Sequence, residues 1–450
     1  MGSEQRLEHG HGNRGSEESD PREGCGCPRG QVGSPCAGLA STTRFLPPSH
    51  ALAPCNPGAA DRALDVITRA MAATVPCDDP KQAELHHLPF AGVGAIMMYV
   101  AYGVGLALQK GRTFSVPDRS MLGWAPASCG GGSPRCYLEP FSSCSIGKAT
   151  GTGGAAGGAT GALGAAGRKP SGPEDKKTRR ELWLTPAVVA SGVDSFFAYH
   201  SQIMRYTWRL NTRWAAQAET VKRNAGWPNA AKGNFTTGST RTKIIAMHVR
   251  HGDACAAKRR TQMYGCPQLA HYMHVAFQMR ARYGAATIYL ATDDPKVETD
   301  IRDNTTYPGW TILSNPDVNR EWYQPSAWHK YGRNHKGAGA KHRSDPQFQA
   351  GFVEKRLRAG DGDPERLGAE AVMDIELLSG CDMFIGTLSS TLGRTAFEVM
   401  AGRLGYVPPF ASLDRHGWFY AQGKCREGGN ETKVSCPKPT WISGKTHGGA

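Results

Sequence analysis

The chain has no Cys-x-x-Cys pair among its 13 cysteines, which argues against a zinc ribbon and a thioredoxin-type redox motif. Residues 1–35 hold no apolar run of the kind a secretory signal carries. Acidic residues are few: 39 Asp and Glu face 53 Lys and Arg, a net charge of +14. Such a balance favours an anionic partner, whether nucleic acid, a phosphate sugar or a membrane surface, and a solvated basic surface accounts for the same excess. Long apolar runs are scarce as well. FAGVGAIMMYVAYGVGLAL, Phe90 to Leu108, carries no charge over nineteen residues. Its length meets the criterion for a membrane span, but Gly92, Gly94, Gly103 and Gly105 make a poor isolated helix. The segment therefore reads as a glycine turn at Gly92-Val93-Gly94 followed by a helix buried on all sides, with a strand over Arg112 to Val116.

What is present points to an oxidising compartment. Cys129, Cys136 and Cys144 cluster, and Cys425 and Cys436 bracket a turn-rich tail, which suits local disulfides. An odd total leaves at least one thiol outside any disulfide. Three sequons, at Asn234, Asn304 and Asn430, point the same way. Any membrane attachment is expected to come from an anchor that these residues do not contain.

A chain of 450 residues suits two core-bearing domains with irregular segments between them. Residues 1–80 read as a disordered N-terminal region rich in Gly, Pro, Ser and charge. An N-terminal α/β domain is expected over 81–235, interrupted at 148–181 by a Gly/Ala/Thr tract. GTGGAAG within that tract mimics a dinucleotide fingerprint but follows no strand and opens no helix, so it reads as low complexity. Ser195 to Lys222 predicts one long surface helix packed by Phe197, Met204, Trp208 and Trp214, with a basic opposite face. From 241 to 423 the pattern alternates. Strands are predicted at Ile244–Val249, Thr287–Ala291, Thr311–Leu313 and Met383–Ile385. Helices are predicted near Leu269–Tyr283, after the second strand, over Ala369–Ser379 and from Leu392. Such βαβα alternation predicts a parallel, doubly wound domain. Residues 424–450 form a tail.

Ionisable and hydroxyl residues gather where these strands end. KIIAMHVRHGD, Lys243 to Asp253, is an apolar strand running into His248, Arg250, His251 and Asp253. YLATDDP brings Asp293 and Asp294 to the end of the next strand. Thr387, Ser389 and Ser390 lie between the strand Met383–Ile385 and its following helix, with Arg394 one turn in. Backbone N–H groups and hydroxyls at such a turn cradle phosphate, and an arginine binds a pyrophosphate through two parallel hydrogen bonds. Asp374, on the helix before that strand, is placed to accept hydrogen bonds from a base or ribose. Singly, each has a plain structural explanation: a capped helix, a surface Arg, a solvated Asp. Together, at successive sheet ends, they read as a nucleotide-sugar site.

HVRHGD, YLATDDP and MDIELLSGCDMFIGTLSSTLGRTAFEVM resemble the three ordered motifs of the α-1,6-fucosyltransferases, relatives of the nodulation and protein O-fucosyltransferases. PFASLDRHGWFYAQG and, upstream, GVGAIMMYVAYGVGLALQKGRTF are similar to further segments of those enzymes, so the resemblance spans roughly 88 to 423. It implies two facing Rossmann-like α/β domains of GT-B type, with the nucleotide-sugar site at the carboxyl ends of the C-terminal sheet. It implies GDP-fucose as donor substrate, a glycan or glycoprotein acceptor, inversion, no metal and no other cofactor, no nucleic-acid partner, and a Golgi or secretory lumen. By the resemblance Arg250 is the pyrophosphate ligand and main stabiliser of departing GDP. His248 and Asp374 line the guanosine end, and Ser390 faces the phosphates. Thr387, Ser389, Arg394, Gly92 and Gly94 complete the substrate-binding set, and Asp293 and Asp294 support the site.

The sequence departs from the family pattern at three positions. Where the vertebrate-type motif continues with Lys and, four residues on, a Glu proposed as base, this chain has Ala254 and Lys258, and His251 replaces the motif's second Arg. Asp253 or His251 is then the candidate base. Two alternatives remain open at this level: a GDP-sugar or glycan binder without turnover, and a histidine phosphatase in which His251 of Arg250-His251-Gly252 is the phosphorylated nucleophile.

Overall fold

The computed structural model describes residues 43–44, 58–72, 83–85, 88, 91–116, 123–126, 128–129, 132–144, 196–228, 242–252, 255, 266–323, 353, 357 and 362–413. The elements run β1 (Thr43–Arg44), α1 (Ala59–Ala72), β2 (Ala83–Leu85), α2 (Val93–Gln109), β3 (Thr113–Ser115), α3 (Phe196–Thr207), α4 (Thr212–Asn224), β4 (Ile244–Val249) and α5 (Leu269–Tyr283). Then come β5 (Thr287–Thr292), α6 (Pro295–Arg302), β6 (Thr311–Ser314), α7 (Pro364–Ser379), β7 (Met383–Gly386), α8 (Thr391–Leu404) and β8 (Phe410–Ser412).

The main sheet has six strands in the order β1-β8-β7-β4-β5-β6. All neighbours are parallel except β1, which pairs antiparallel with β8. Strands β4, β5 and β7 are buried along their whole length, as expected of a parallel sheet covered on both faces. Alternation sorts the side chains of β4. Ile245, Met247 and Val249 join α5 and α6 in one core, while Ile244 and Ala246 face the other way, into the core built by α7 and α8. From β4 the chain winds outward to β5 and β6, then jumps back across the sheet to β7. The carboxyl ends of β4 and β7 therefore meet at the point where the winding reverses, the place where doubly wound sheets open a ligand crevice.

Helix α8 is the centre of the second layer. Thr395 to Gly402 are all buried. Phe397 stacks against Phe384 of β7 and Phe410 of β8 at 5.4 and 4.7 Å, and against Phe197 of α3 at 5.6 Å. Glu398, with no solvent exposure, meets His200 of α3 at 2.9 Å. Glu376 of α7 receives Arg403 of α8 through two nitrogens, at 3.1 and 2.7 Å, and the Trp208 indole N–H at 3.0 Å. Burial alone would raise the Glu376 carboxyl, but the Arg403 fork outweighs it and holds the group below the usual range. Residues from both halves of the chain thus share one apolar core.

The N-terminal half differs from expectation in three respects. Within 1–80, α1 is ordered and amphipathic: Ala59, Ala63, Ile67 and Met71 recur every fourth residue and are buried, and β1 adds an edge strand. The apolar segment from Val93 is a buried helix as predicted, and among the described residues no helix is long and apolar enough to cross a membrane. Over its described residues, 196–222, the predicted long helix is two helices rather than one. The break at Trp208–Asn211 is made by Asn211, whose side chain caps α4 by accepting from Trp214 N, and by a bridge of Leu210 to Leu138. Nor is α3 a surface helix, since His200, Ser201 and Gln202 are buried. The basic residues of this segment are engaged: Arg205 with Asp61, Arg209 with the Pro140 carbonyl, Arg213 with Glu365 and Lys222 with Glu219. The described part of 81–235 contributes helices and the two-stranded parallel sheet of β2 and β3.

The first turns of α2 and α8 touch backbone to backbone. A Cβ at Gly94 would lie 2.6 Å from Leu392 Cα and N, and Thr395 Oγ1 donates to the Gly94 carbonyl at 3.1 Å. Gly94→Ala must push the two helix starts apart, with an expected loss of about 1–3 kcal/mol, measurable as a lowered denaturation midpoint. Gly92→Ala, with nothing within 4 Å of the added methyl, is the control.

Candidate functional site

Four chain segments arrive at the crevice. The β4 end delivers Arg250 and His251, the β5 end delivers Asp293 and Asp294, the β7–α8 turn delivers Thr387, Ser389 and Ser390, and the start of α2 lies against the start of α8. Asp253, Ala254 and Lys258 lie outside the described residues, as do the sequons at Asn234 and Asn430 and the cysteines of the tail.

The two aspartates do different work. Asp293 pairs with Arg250 Nη1 through Oδ2, and its Oδ1 accepts the His251 backbone N–H at 2.9 Å. One carboxylate therefore sets both the Arg250 side chain and the backbone that follows it. Asp294 is the N-cap of α6, accepting from Lys296 N at 2.9 Å, and its Oδ2 lies 2.9 Å from His251 Nδ1. The other ring nitrogen of His251, Nε2, lies 2.9 Å from the Pro267 carbonyl. Both ring nitrogens face acceptors, which only the doubly protonated imidazolium satisfies. Burial opposes that charge, but the hydrogen bonds to Asp294 and Pro267, with the negative charge of both aspartates, raise the His251 pKa overall. The same hydrogen bond, against the cost of burial, lowers the Asp294 carboxyl. With Nδ1 against Asp294 and Nε2 against the Pro267 carbonyl, neither ring nitrogen is free to accept a phosphoryl group or a proton.

A disulfide secures this corner. Cys255 and Cys266 are joined with Cα atoms 5.5 Å apart, closing the loop between His251 and Pro267. His251, Cys255 and Cys266 place their ligand atoms within 4.8 Å of one another, but the disulfide takes both sulfurs out of metal-binding chemistry. Sequence reasoning missed this pair, although two cysteines straddling the loop directly after a charged strand end were a usable signal. Of the predicted cluster, Cys129 and Cys136 form a disulfide and Cys144 is disulfide-bonded as well, whereas the buried Cys381 is in none.

On the other wall, both helix starts lack side-chain caps. The N-cap of α2 is Gly92, which has no side chain to offer, and that of α8 is Ser390, whose side chain makes no capping hydrogen bond. Two positive helix ends side by side favour an anion. Thr387 is buried, its carbonyl accepting from Ser390 N at 2.9 Å, while Ser389, Ser390 and Arg394 are partly exposed. Beneath them lies His248, 4% exposed, its pKa pushed down to about 4 chiefly by burial. Its imidazole is neutral at physiological pH, and Nδ1 has no hydrogen-bond partner among the described residues. A Cβ at Gly393 would lie 2.7 Å from that Nδ1, so Gly393, unremarked in the sequence, is what lets α8 lie over His248.

Asp374 stands apart from the strand ends. It sits on α7 over the middle of β5, accepting from Tyr289 Oη at 2.9 Å. It shares the His248 face of the sheet, because Tyr289 pairs with Ala246, two residues before His248. Burial pushes its carboxyl up to about 7, against the pull of Arg320 and the Tyr289 hydrogen bond.

No family model and no curated protein matches this chain. Among solved structures it is similar to a NodZ alpha-1,6-fucosyltransferase soaked with GDP-fucose, at 13% identity and TM-score 0.32, covering 70% of this chain and 91% of that one. A selenomethionine form of fucosyltransferase NodZ from Bradyrhizobium gives 14% identity and TM-score 0.32, covering 70% and 90%. Apo POFUT1 gives 12% identity and TM-score 0.24, covering 47% and 49%.

The His251–Asp294 bond has a measurable consequence. A pKa raised in the folded state contributes stability that is full below the unfolded value near 6.5 and is lost as pH climbs through the folded value. In Asp294→Asn the supporting charge is gone and burial prevails, so the His251 ring resonances are expected to titrate below those of the wild type in an NMR pH series. An unchanged titration would show that Asp294 does not hold the proton.

Proposed function

We propose that this chain transfers fucose from GDP-fucose to a glycan hydroxyl, with inversion at the anomeric carbon. The observation that carries this reading is the meeting, at one reversal point of a parallel sheet, of an aspartate-oriented arginine with two uncapped helix starts, from the segments whose sequences resemble the fucosyltransferase motifs.

Transfer breaks the bond between the sugar C1 and the β-phosphate oxygen, and the electron pair leaves on GDP. Positive charge grows on the sugar ring and negative charge on the diphosphate. Arg250, held by Asp293, and the first-turn N–H groups of α8 and α2 meet that negative charge without reorganising. Ser389, Ser390, Thr387 and Arg394 line the same turn, with Gly92 and Gly94 opposite. In this reading no metal ion is needed to neutralise GDP. Asp293 and Asp294 hold Arg250, His251 and α6 rather than presenting two carboxylates to a cation. In this reading His248 and Asp374 line the guanosine end. The acceptor oxygen attacks from the opposite ring face and gives up its proton to Asp253, since both ring nitrogens of His251 are engaged, with Asp294 and with the Pro267 carbonyl. The two facing Rossmann-like domains and a secretory-lumen location, consistent with the disulfides, belong to the same proposal.

Incubating the purified chain with GDP-fucose, a chelator and an acceptor panel, followed by linkage analysis of any product, tests this directly. Arg250→Ala is expected to lose about a hundredfold or more in transfer rate while remaining folded. Near-normal transfer in that variant would refute the assigned role, and absence of any GDP or GDP-fucose binding by the wild type would sink the reading altogether.

GDP affinity should also depend on pH through Asp374. Guanine donates its N1–H and amino group to an ionised carboxylate, and the free carboxyl titrates at about 7. Below that value binding must first expel a proton, so the dissociation constant is expected to rise about tenfold per pH unit on acidification and to level off above it. Asp374→Asn should bind more weakly and lose the slope. Calorimetry from pH 5.5 to 8 distinguishes the cases.

A further inference from the structure

We propose that Asn304 carries an N-linked glycan whose first sugars rest on the aromatic face formed by Phe277 and Trp310. The sequon Asn304-Thr305-Thr306 lies directly after α6, and all three residues are exposed. The turn is built from its own side chains. Asp303 accepts from Thr305 N at 3.0 Å, Thr305 Oγ1 at 2.7 Å and Thr306 Oγ1 at 2.8 Å. Asn304 Oδ1 accepts from Gly309 N at 3.2 Å, which leaves Nδ2, the atom that a glycan replaces hydrogen on, as the outer end of an exposed amide.

Two independent observations join the sequon here. The disulfides Cys129–Cys136 and Cys255–Cys266 place the folded chain in an oxidising compartment, the kind in which N-glycans are attached. Beside the sequon lies an otherwise unexplained surface. Phe277 of α5, 41% exposed, is the one exposed large hydrophobic side chain among the described residues. It meets the Trp310 ring edge-on with centroids 5.5 Å apart, and Trp310 follows the Gly309 that Asn304 holds. Arg280 lies over the Trp310 ring as well, 5.2 Å from its centroid. The C–H face of a pyranose covers such an aromatic pair and removes it from water.

The topology keeps this attachment away from the crevice. Helix α6 starts at Asp294, on the carboxyl edge of the sheet, and runs back to the amino edge. There Thr311 begins β6 opposite Thr287, the first residue of β5. A glycan at Asn304 projects from the edge opposite Arg250, so its presence is independent of the transferase reading.

The test is to direct the full chain into the secretory pathway of insect cells with an appended, cleaved signal. Its peptides are then mapped after peptide-N-glycosidase treatment in 18O-water. Asn304 is expected to be recovered as 18O-labelled Asp in wild type and in Thr306→Ser, which keeps both the sequon and the hydroxyl to Asp303, and unlabelled in Thr306→Ala. An unlabelled Asn304 in secreted wild-type protein with its disulfides formed would overturn the site. Enzymatic removal of the glycan should lower the melting temperature of wild type more than that of Phe277→Ser. Equal shifts in the two would overturn the aromatic platform.

Discussion

Helix α8 cannot face water anywhere along its middle. Gly393 and Thr395 to Gly402 are covered, by the sheet through Phe397, by α3 through Glu398 and His200, by α7 through Arg403 and Glu376, and by α2 through Thr395. A helix buried all round exists only inside a larger core. That requirement obliges the N-terminal half to dock on the C-terminal sheet, and it ties the start of α2 to the start of α8. The anion-favouring wall of the crevice is thus a by-product of packing: two helix ends are brought together because Gly94 lets their backbones touch.

The crevice also shows how few charges remain available once the fold has used the rest. Asp293 is spent on orienting Arg250 and the His251 amide. Asp294 is spent on capping α6 and on stabilising an imidazolium. His248, one strand position before Arg250's neighbour Val249, is kept neutral by the same burial that makes His251's charge depend on its partners. Two histidines three residues apart are therefore shifted in opposite directions, His248 down by burial under α8 and His251 up by its hydrogen bonds to Asp294 and Pro267. The positive field left to meet an anion comes from Arg250 and from backbone dipoles, which need no proton exchange to act.

Burial decides the chemistry of the buried acids as well. Glu376 stays ionised because Arg403 reaches it with two nitrogens, whereas Asp374, with a tyrosine hydroxyl as its hydrogen-bond partner, is pushed up to about 7. The basic residues predicted to line one face of 195–222 find local partners, Asp61, Glu219 and Glu365 among them, as the helix breaks at Asn211 and turns its aromatics inward.

The sheet was legible in the sequence because parallel strands buried on both faces write themselves as short apolar runs. Ile244–Val249, Thr287–Thr292 and Met383–Gly386 fall within a residue of where the pattern put them, and each strand end announced its ionisable residues. Legible too were the buried helix after Gly92 and one of the local disulfides. The register between strands was not written there, and with it the pairing of Asp293 to Arg250, of Asp294 to His251 and of Asp374 to Tyr289. Those contacts join residues 43 to 85 positions apart, and no local pattern encodes them. Nor does composition show that α1 is ordered, that α3 is buried, or that His251 is held between Asp294 and the Pro267 carbonyl. Local propensity and periodicity act within a turn or a strand, so the sequence by itself determined the elements and the residue types at their ends. Burial and charge partnership are set by what lies across the core, so only the tertiary structure decided which of those residues carry charge, which serve the frame and which face the crevice.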